Sequence, residues 1–198
     1  MILLSLALVA AADSAPEPEP PTTRVEVAVY DTAATLPVRR TLGLPVHPGV
    51  EVGLAHALTR RDGRSLSATA RLGAFSHSPL TRALTLDAGL QGAWRPASSG
   101  FVGSAEWLLG GQVGTPTQRE FAPDGQGGFE ERSGRVRAQV RTGLRLAVGW
   151  RLGRAPRAPE LLAFHRLWVE TPFAPGFIPV VPHGDTGLLL TVAVGRSP

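Results

Sequence analysis

The sequence contains no cysteine and no lysine. Without cysteine, a disulfide framework, a thiolate metal site and a lipid anchor on cysteine are all excluded. Arginine is therefore the only strongly basic residue, and the 20 basic residues against 16 acidic ones leave a net charge of +4. The arginines are spread along the chain and do not cluster on a tail or one helix face, which argues against a nucleic-acid partner.

The chain also lacks a long hydrophobic run. Residues 1–12, MILLSLALVAAA, are uncharged and apolar but too short to span a bilayer. They are typical of the apolar part of a secretory signal peptide, and Ala10-Ala11-Ala12 fits its cleavage motif. A buried N-terminal helix or strand is the alternative. Residues 13–23, DSAPEPEPPTT, are so rich in proline that we expect a disordered spacer.

Helical spacing of apolar residues is missing, and an alternation of apolar and polar residues takes its place. This period of two is the pattern of β-strands with two different faces. It recurs in eight segments, at 24–30, 49–58, 65–77, 81–94, 101–113, 135–152, 161–171 and 186–194.

The longest segment, RVRAQVRTGLRLAVGWRL at 135–152, shows the alternation most clearly. Its even positions from Val136 to Leu152 are apolar except Thr142, and its odd positions are mostly arginine or glycine. Strands of a soluble β-sandwich usually have about five or six residues. Several segments here reach the roughly 9–11 residues that cross a bilayer at a tilt. Glycine on the polar face suits the crowded interior of a narrow barrel.

The connections between the segments alternate in length. The three long ones follow the first, fifth and seventh segments, as in transmembrane barrels with short periplasmic turns and longer extracellular loops. An up-and-down path from a periplasmic N-terminus places all three outside and both termini in the periplasm. Trp94, Phe101 and Trp150 then form an aromatic girdle at the periplasmic side. The apolar, proline-rich loop 172–184 is predicted to cap the barrel or to bind an envelope protein or lipid.

These features predict an all-β fold, a single antiparallel up-and-down transmembrane barrel of eight strands over residues 24–198. In signal, strand number, alternation and loop asymmetry the chain resembles the OmpX-like small outer-membrane proteins of Gram-negative bacteria. The resemblance implies a monomer in contact with outer-membrane lipid, with a structural or interaction role. It departs from that class by ending in TVAVGRSP and not in an aromatic residue. A secreted or periplasmic soluble β protein is the alternative.

The alternation places ten charged residues inside the barrel. An eight-stranded barrel has an interior just wide enough for side chains, and unpaired charges there are costly, so the charges are expected to pair. We interpret them as a network that fills the lumen, and a narrow anion-selective pore is the alternative. The predicted lumen residues are Glu26, Glu51, Arg71, Asp87, Glu106, Arg137, Arg141, Arg145, Arg166 and Glu170.

Histidine and serine supply the remaining chemistry. His47, His77 and His183 fall at the predicted extracellular mouth, where imidazoles could bind zinc, copper or nickel. Merely exposed loop histidines are the favoured interpretation, so no cofactor is predicted. A lipid-modifying barrel enzyme is a further alternative, with Ser76, His77 and Ser78 as candidates. Because neighbours on a strand point to opposite faces and the chain has no G-x-S-x-G motif, we predict no enzyme.

Overall fold

The computed structural model describes most of the chain, apart from its two ends and short internal gaps. The described ranges are 23–33, 45–78, 80–96, 99–119, 121–131, 136–155, 157–172 and 180–194. They contain ten strands: β1 (Thr23–Ala33), β2 (Pro48–Arg61), β3 (Arg64–His77), β4 (Thr81–Trp94), β5 (Phe101–Pro116), β6 (Phe121–Pro123), β7 (Phe129–Glu131), β8 (Arg137–Arg151), β9 (Glu160–Thr171) and β10 (Val181–Val194).

The eight long strands close into an antiparallel up-and-down barrel. Each long strand pairs with the next one along the chain, and β10 returns to pair with β1, from Thr23 opposite Val194 to Ala33 opposite Gly184. Closure leaves no unpaired sheet edge. The predicted fold class is confirmed. Among the described residues, no helix is long and apolar enough to cross a membrane.

The connections differ between the two ends of the barrel. We call the end where β1 begins and β10 finishes the terminal end, and the opposite one the loop end. The terminal-end connections are residues 62–63, 95–100 and 152–159, and the loop-end connections are 34–47, 78–80, 117–136 and 172–180. The three longest connections lie at the loop end, as the lengths of the connections in the sequence predict.

The tightest connection joins β2 to β3 through Asp62 and Gly63. Both residues have positive φ, 51° and 72°, which is the requirement of a two-residue turn that matches the twist of a hairpin. Asp-Gly is a preferred pair for this turn because both residues tolerate the left-handed region. The Gly63 carbonyl also accepts a hydrogen bond from the backbone N–H of Arg95, which ties this turn to the next connection.

Several expectations need correction or fall outside the described residues. β10 begins at Val181, paired with Glu170, so His183 lies in a strand and not in a loop. β1 begins at Thr23, the last residue of the predicted spacer. The predicted signal peptide, spacer residues 13–22, most of loop 172–184 and the last four residues lie outside the described residues.

The loop after β5 contains a small hairpin that the alternation does not predict. Phe121 pairs with Glu131 and Pro123 with Phe129, which joins β6 to β7. The Asp124 carboxylate accepts hydrogen bonds from the backbone N–H groups of Gln126 and Gly128, at 2.8 and 2.9 Å. These donors organise the turn and lower the pKa of Asp124.

The outer wall of the barrel is an apolar belt. Leu144, at the middle of β8, is 60% exposed, and its neighbours Val140 and Val148 are exposed as well. Thr142, the polar exception in this row, donates its hydroxyl to the Leu108 carbonyl at 2.8 Å, so it adds no unsatisfied group. The outward-facing parity therefore follows the sequence prediction.

An aromatic cluster lies on the outer wall near the terminal end. Phe101 contacts Trp94 edge-on at 5.8 Å and Trp150 at 6.2 Å between ring centroids. The three residues come from adjacent strands β4, β5 and β8. They form part of the aromatic girdle that the alternation predicts.

Inside, glycine makes room for large side chains on neighbouring strands. A Cβ at Gly143 would lie 2.6 Å from the Cβ of Trp168 and would also collide with the Leu167 carbonyl. Trp168, directly opposite Gly143 in the β8–β9 pairing, is buried in the lumen. A side chain at position 143 would therefore displace the tryptophan.

We expect Gly143→Val to lower the free energy of unfolding by about 1–3 kcal/mol, because it overfills the interior. Gly111→Val is the control, since a Cβ there meets nothing nearer than the Gln139 carbonyl at 3.5 Å. Urea unfolding of protein refolded into phospholipid vesicles measures both. Equal losses for the two variants would contradict the crowding of the lumen at Trp168.

Candidate functional site: a charged lumen

The interior of the barrel is filled by charged side chains. Twelve of them carry the ion pairs described next, and nine of the ten predicted lumen residues are buried. Eight of the nine are Glu51, Arg71, Asp87, Glu106, Arg141, Arg145, Arg166 and Glu170. Glu26 is buried as well, and Arg137, also predicted to point inward, is partly exposed near the loop end of β8.

Arg71, on β3, lies at the centre of the network. Its guanidinium contacts the carboxylates of Glu26 at 2.5 Å, Glu51 at 3.5 Å and Glu106 at 3.0 Å. Thr69, two residues earlier on the same face, donates its hydroxyl to Glu106 at 2.5 Å. Carboxylates from three other strands thus contact one guanidinium. Its five N–H donors allow it to bind several carboxylates at once.

Arg145 of β8 approaches the same three carboxylates from the opposite wall. Its Nη2 lies 3.0 Å from Glu26 and 2.7 Å from Glu106, and its Nη1 lies 3.4 Å from Glu51. Two arginines therefore share three carboxylates across the full width of the lumen. This cross-lumen cluster links β1, β2, β3, β5 and β8.

Two further arginines extend the network toward the loop end. Arg166 contacts Glu51 at 2.5 Å and Asp185 at 2.7 Å, so Glu51 balances parts of three guanidinium groups. Arg141 donates to Asp87 at 2.9 Å. Asp185 also accepts a hydrogen bond from the Trp168 indole N–H at 2.9 Å, which fixes that ring in the lumen.

A separate group closes the network at the terminal end. The Glu160 carboxylate lies 2.9 Å from both Arg24 and Arg95. Arg95 also donates to the Ser65 hydroxyl at 3.1 Å. These contacts join the beginnings of β1, β3 and β9 to the end of β4.

The buried charges nearly cancel. Among the described residues, seven buried acidic residues face six buried arginines, a formal difference of 7 − 6, or one negative charge. The acidic residues are Glu26, Glu51, Asp87, Glu106, Glu160, Glu170 and Asp185. The arginines are Arg24, Arg71, Arg95, Arg141, Arg145 and Arg166. Within the described part of the chain, the buried interior thus has no surplus of arginine. The alternative of an anion-selective pore gains no support from this balance.

Aromatic rings fill the space between the arginines and the wall. The guanidinium carbon of Arg141 lies 4.5 Å from the Trp168 ring centroid, and that of Arg166 lies 5.1 Å from the Tyr30 ring. Arginine stacks on aromatic faces while its donors remain in plane for the carboxylates. The interior is therefore packed by rings as well as by salt bridges.

The three candidate metal-binding histidines lie near the loop end, in arrangements that do not converge on one ion. The rings of His47 and His77 are stacked, 3.9 Å apart and 16° from parallel. The nitrogen lone pairs lie in the ring planes, so stacked rings direct them past each other. His183 stacks on Trp168 at 3.9 Å, with Nε2 3.2 Å from Glu170. Among the described residues, no group of three possible ligands could hold a metal ion.

Of the three candidate catalytic residues, Ser76 and His77 are separated by the barrel wall, and Ser78 is exposed just past the end of β3. His77 is buried on the inner face, and Ser76 faces outward on the same strand. An imidazole and a hydroxyl on opposite faces cannot exchange a proton directly. The outward-facing His165, for which the sequence offers no role, shares a hydrogen bond with Thr186 at 2.8 Å between Nδ1 and Oγ1. This pairing gives the Thr186 hydroxyl and one imidazole nitrogen a partner on the apolar belt.

Sequence reasoning missed four charged lumen residues, and a common signal could have found them. Arg24, Arg95, Glu160 and Asp185 each continue the inward parity of a strand at or beyond the end of a predicted segment. Arg24 is the first residue of its segment, and extending three other segments by one residue would have included Arg95, Glu160 and Asp185. Trp168 has the inward parity of Arg166 and Glu170 on β9, so the alternation itself is the signal that indicates its position.

Comparisons with known proteins agree with the fold and add no family. No protein-family model matches the chain, and no curated protein matches it. Among solved structures, Neisserial surface protein A (NspA) is similar over 89% of this chain and 98% of that chain, with 11% identity and a TM-score of 0.51.

Two more solved structures are similar, each at 11% identity. The N-terminal β-barrel domain of Pseudomonas aeruginosa OprF covers 85% of this chain and 96% of that chain, with a TM-score of 0.40. Ail, the attachment invasion locus protein of Yersinia pestis, was solved with the heparin analogue sucrose octasulfate. It is similar over 86% of this chain and 97% of that chain, with a TM-score of 0.32. The likeness to NspA shows that this chain has the fold of a small eight-stranded outer-membrane β-barrel.

Proposed function

We propose that this protein is a monomeric outer-membrane barrel of the cell envelope with a structural or interaction role. One observation carries the proposal: an apolar outer wall encloses a lumen whose charges are paired across its width. An apolar wall suits the hydrocarbon core of a bilayer. Closure of the barrel gives each strand a hydrogen-bonding neighbour on both sides, which lipid cannot provide. A lumen filled by side chains suits a stable scaffold better than a passage.

The loop end is the side that we assign to the exterior. It carries the long connections, including the β6–β7 hairpin with Phe121 and Phe129 exposed. Exposed aromatic side chains on a protruding element suit contact with an envelope or extracellular protein. The terminal end then faces the periplasm, together with both termini of the chain.

A tag experiment tests this orientation. An epitope inserted at Gly127, in the β6–β7 turn, should be reached by antibody on intact cells. The same epitope at Ser99, in the β4–β5 connection, should be labelled only after the outer membrane is permeabilised. Gly127 suits insertion because it has positive φ and nothing lies within 4 Å of its would-be Cβ. Equal labelling of both sites, or the reverse pattern, would reject the proposed orientation.

A further inference from the structure

A groove of about 520 Å³ lies on the outer wall near the loop end of β2 to β5. Its sides are the exposed side chains of Val50, Leu84, Val113 and Val136. It is continuous with the apolar belt, so under the proposed function it opens directly to lipid. Its ligand must therefore present an apolar part to these side chains.

The groove arises from one small residue in a row of larger ones. Val50, Ala74, Leu84 and Val113 are paired directly across four adjacent strands and share the outer face. The methyl group of Ala74 stands between two longer side chains. This leaves a depression at Ala74 that the end of a hydrocarbon chain can occupy.

A polar row borders the groove on its loop-end side. Ser76, Arg82 and Thr115 lie two positions farther toward the loop end than Ala74, Leu84 and Val113, on the same outer face, and are paired with one another in register. Directly opposed residues on antiparallel strands have Cβ atoms about 4.5–5.5 Å apart. Two hydroxyls therefore flank one guanidinium at the rim of the groove.

Arg82 differs from the arginines of the lumen. It is exposed, and among the described residues its guanidinium forms neither an ion pair nor a side-chain hydrogen bond. A guanidinium with neighbouring hydroxyls is a donor set that suits a phosphate group, which accepts charge-assisted hydrogen bonds. Its position above an apolar groove places that phosphate at the level of a lipid headgroup.

We propose that this groove binds a phosphorylated glycolipid of the outer leaflet, with one acyl chain along Ala74 and a phosphate at Arg82. Ser76 and Thr115 donate hydrogen bonds to the same headgroup. The assignment to a glycolipid rests on the proposed function, which places the loop end in the outer leaflet. Charge complementarity and continuity with the apolar belt support the site itself.

Binding of purified lipids to the refolded full-length protein in nonionic detergent, followed by native mass spectrometry, tests the site. The probes are diphosphorylated lipid A, dephosphorylated lipid A and phosphatidylglycerol. We expect diphosphorylated lipid A to bind about tenfold more tightly than either of the others, since dephosphorylated lipid A lacks the phosphate and phosphatidylglycerol has a singly charged phosphodiester in place of a phosphomonoester. Arg82→Gln should remove this preference.

A second variant tests the acyl-chain part of the site. Ala74→Phe should fill the groove and weaken the binding of all three lipids. The controls are Arg64→Gln, which changes an exposed arginine at the terminal end of β3, and Ala70→Phe, which changes an outward alanine of β3 outside the groove. Both should bind like the unchanged protein. Heat-dependent gel migration confirms that each variant has folded.

The proposal is overturned if dephosphorylated lipid A binds as tightly as the phosphorylated form, or if Arg82→Gln and Ala74→Phe behave like their controls. Phosphatidylglycerol binding as tightly as lipid A would reject the glycolipid. The assay uses purified components, so it is independent of cellular location. A protein that passes the tag experiment and fails here keeps its proposed function and loses this site.

Discussion

Arg71→Met is expected to lower the free energy of unfolding by about 3–5 kcal/mol, the cost of leaving buried charges without their partner. The guanidinium of Arg71 is within 3.5 Å of Glu26, Glu51 and Glu106, all of them buried. Its removal leaves Arg145 to compensate much of that charge alone. Urea unfolding in phospholipid vesicles, followed by the fluorescence of the four tryptophans, measures the loss.

Arg61→Met is the matched control for this prediction. Arg61 pairs with Asp62 at 3.3 Å, but the two side chains are 69% and 62% exposed. An exposed pair contributes only about 0–1 kcal/mol. The double variant Arg71→Met/Glu106→Gln should be more stable than Arg71→Met alone, because it removes one uncompensated carboxylate. A double variant no more stable than the single one, or a loss in Arg61→Met as large as in Arg71→Met, would contradict the network.

Leu144→Arg is the second large effect, with an expected loss of about 2–4 kcal/mol for a cation on the lipid face near the bilayer midplane. Leu144 lies at the middle of β8 and faces outward. Leu152→Arg provides the comparison, because Leu152 is also exposed but lies just past the end of β8. Near the interface the cost falls to about 0–1 kcal/mol.

The same unfolding assay measures both leucine variants. A barrel that unfolds at the same urea concentration with arginine at position 144 as with leucine would show that this wall does not face hydrocarbon. A loss at position 152 as large as that at position 144 would show that depth in the bilayer is not its cause.

The architecture could be predicted from the sequence because alternation is a local property. Each segment shows its two faces without information about its neighbours, and Leu144 and Arg145 were assigned to the correct sides of the wall. Strand ends were less predictable. The continuation of β10 to Val181 depends on its pairing with Glu170, which lies on another segment.

The pairing within the lumen could not be predicted for a related reason. That Glu51 contacts Arg71, Arg145 and Arg166 depends on the register of several strand pairs and on closure by β1 and β10. A shift of one residue in any strand would turn its side chains to the other face. The polar row containing Arg82 escaped notice because it exists only when neighbouring strands are aligned.

The closure of β1 against β10 has a consequence for the time course of folding. Glu26 and Arg145, which meet in the lumen, are separated by 119 positions along the chain. Contacts between such distant residues form late, after the loops between them have been closed. Interactions absent from the transition state slow unfolding much more than they speed folding. The lumen network is therefore expected to slow the unfolding of the completed barrel and to extend the lifetime of the folded state. It should contribute little to the rate at which the barrel assembles.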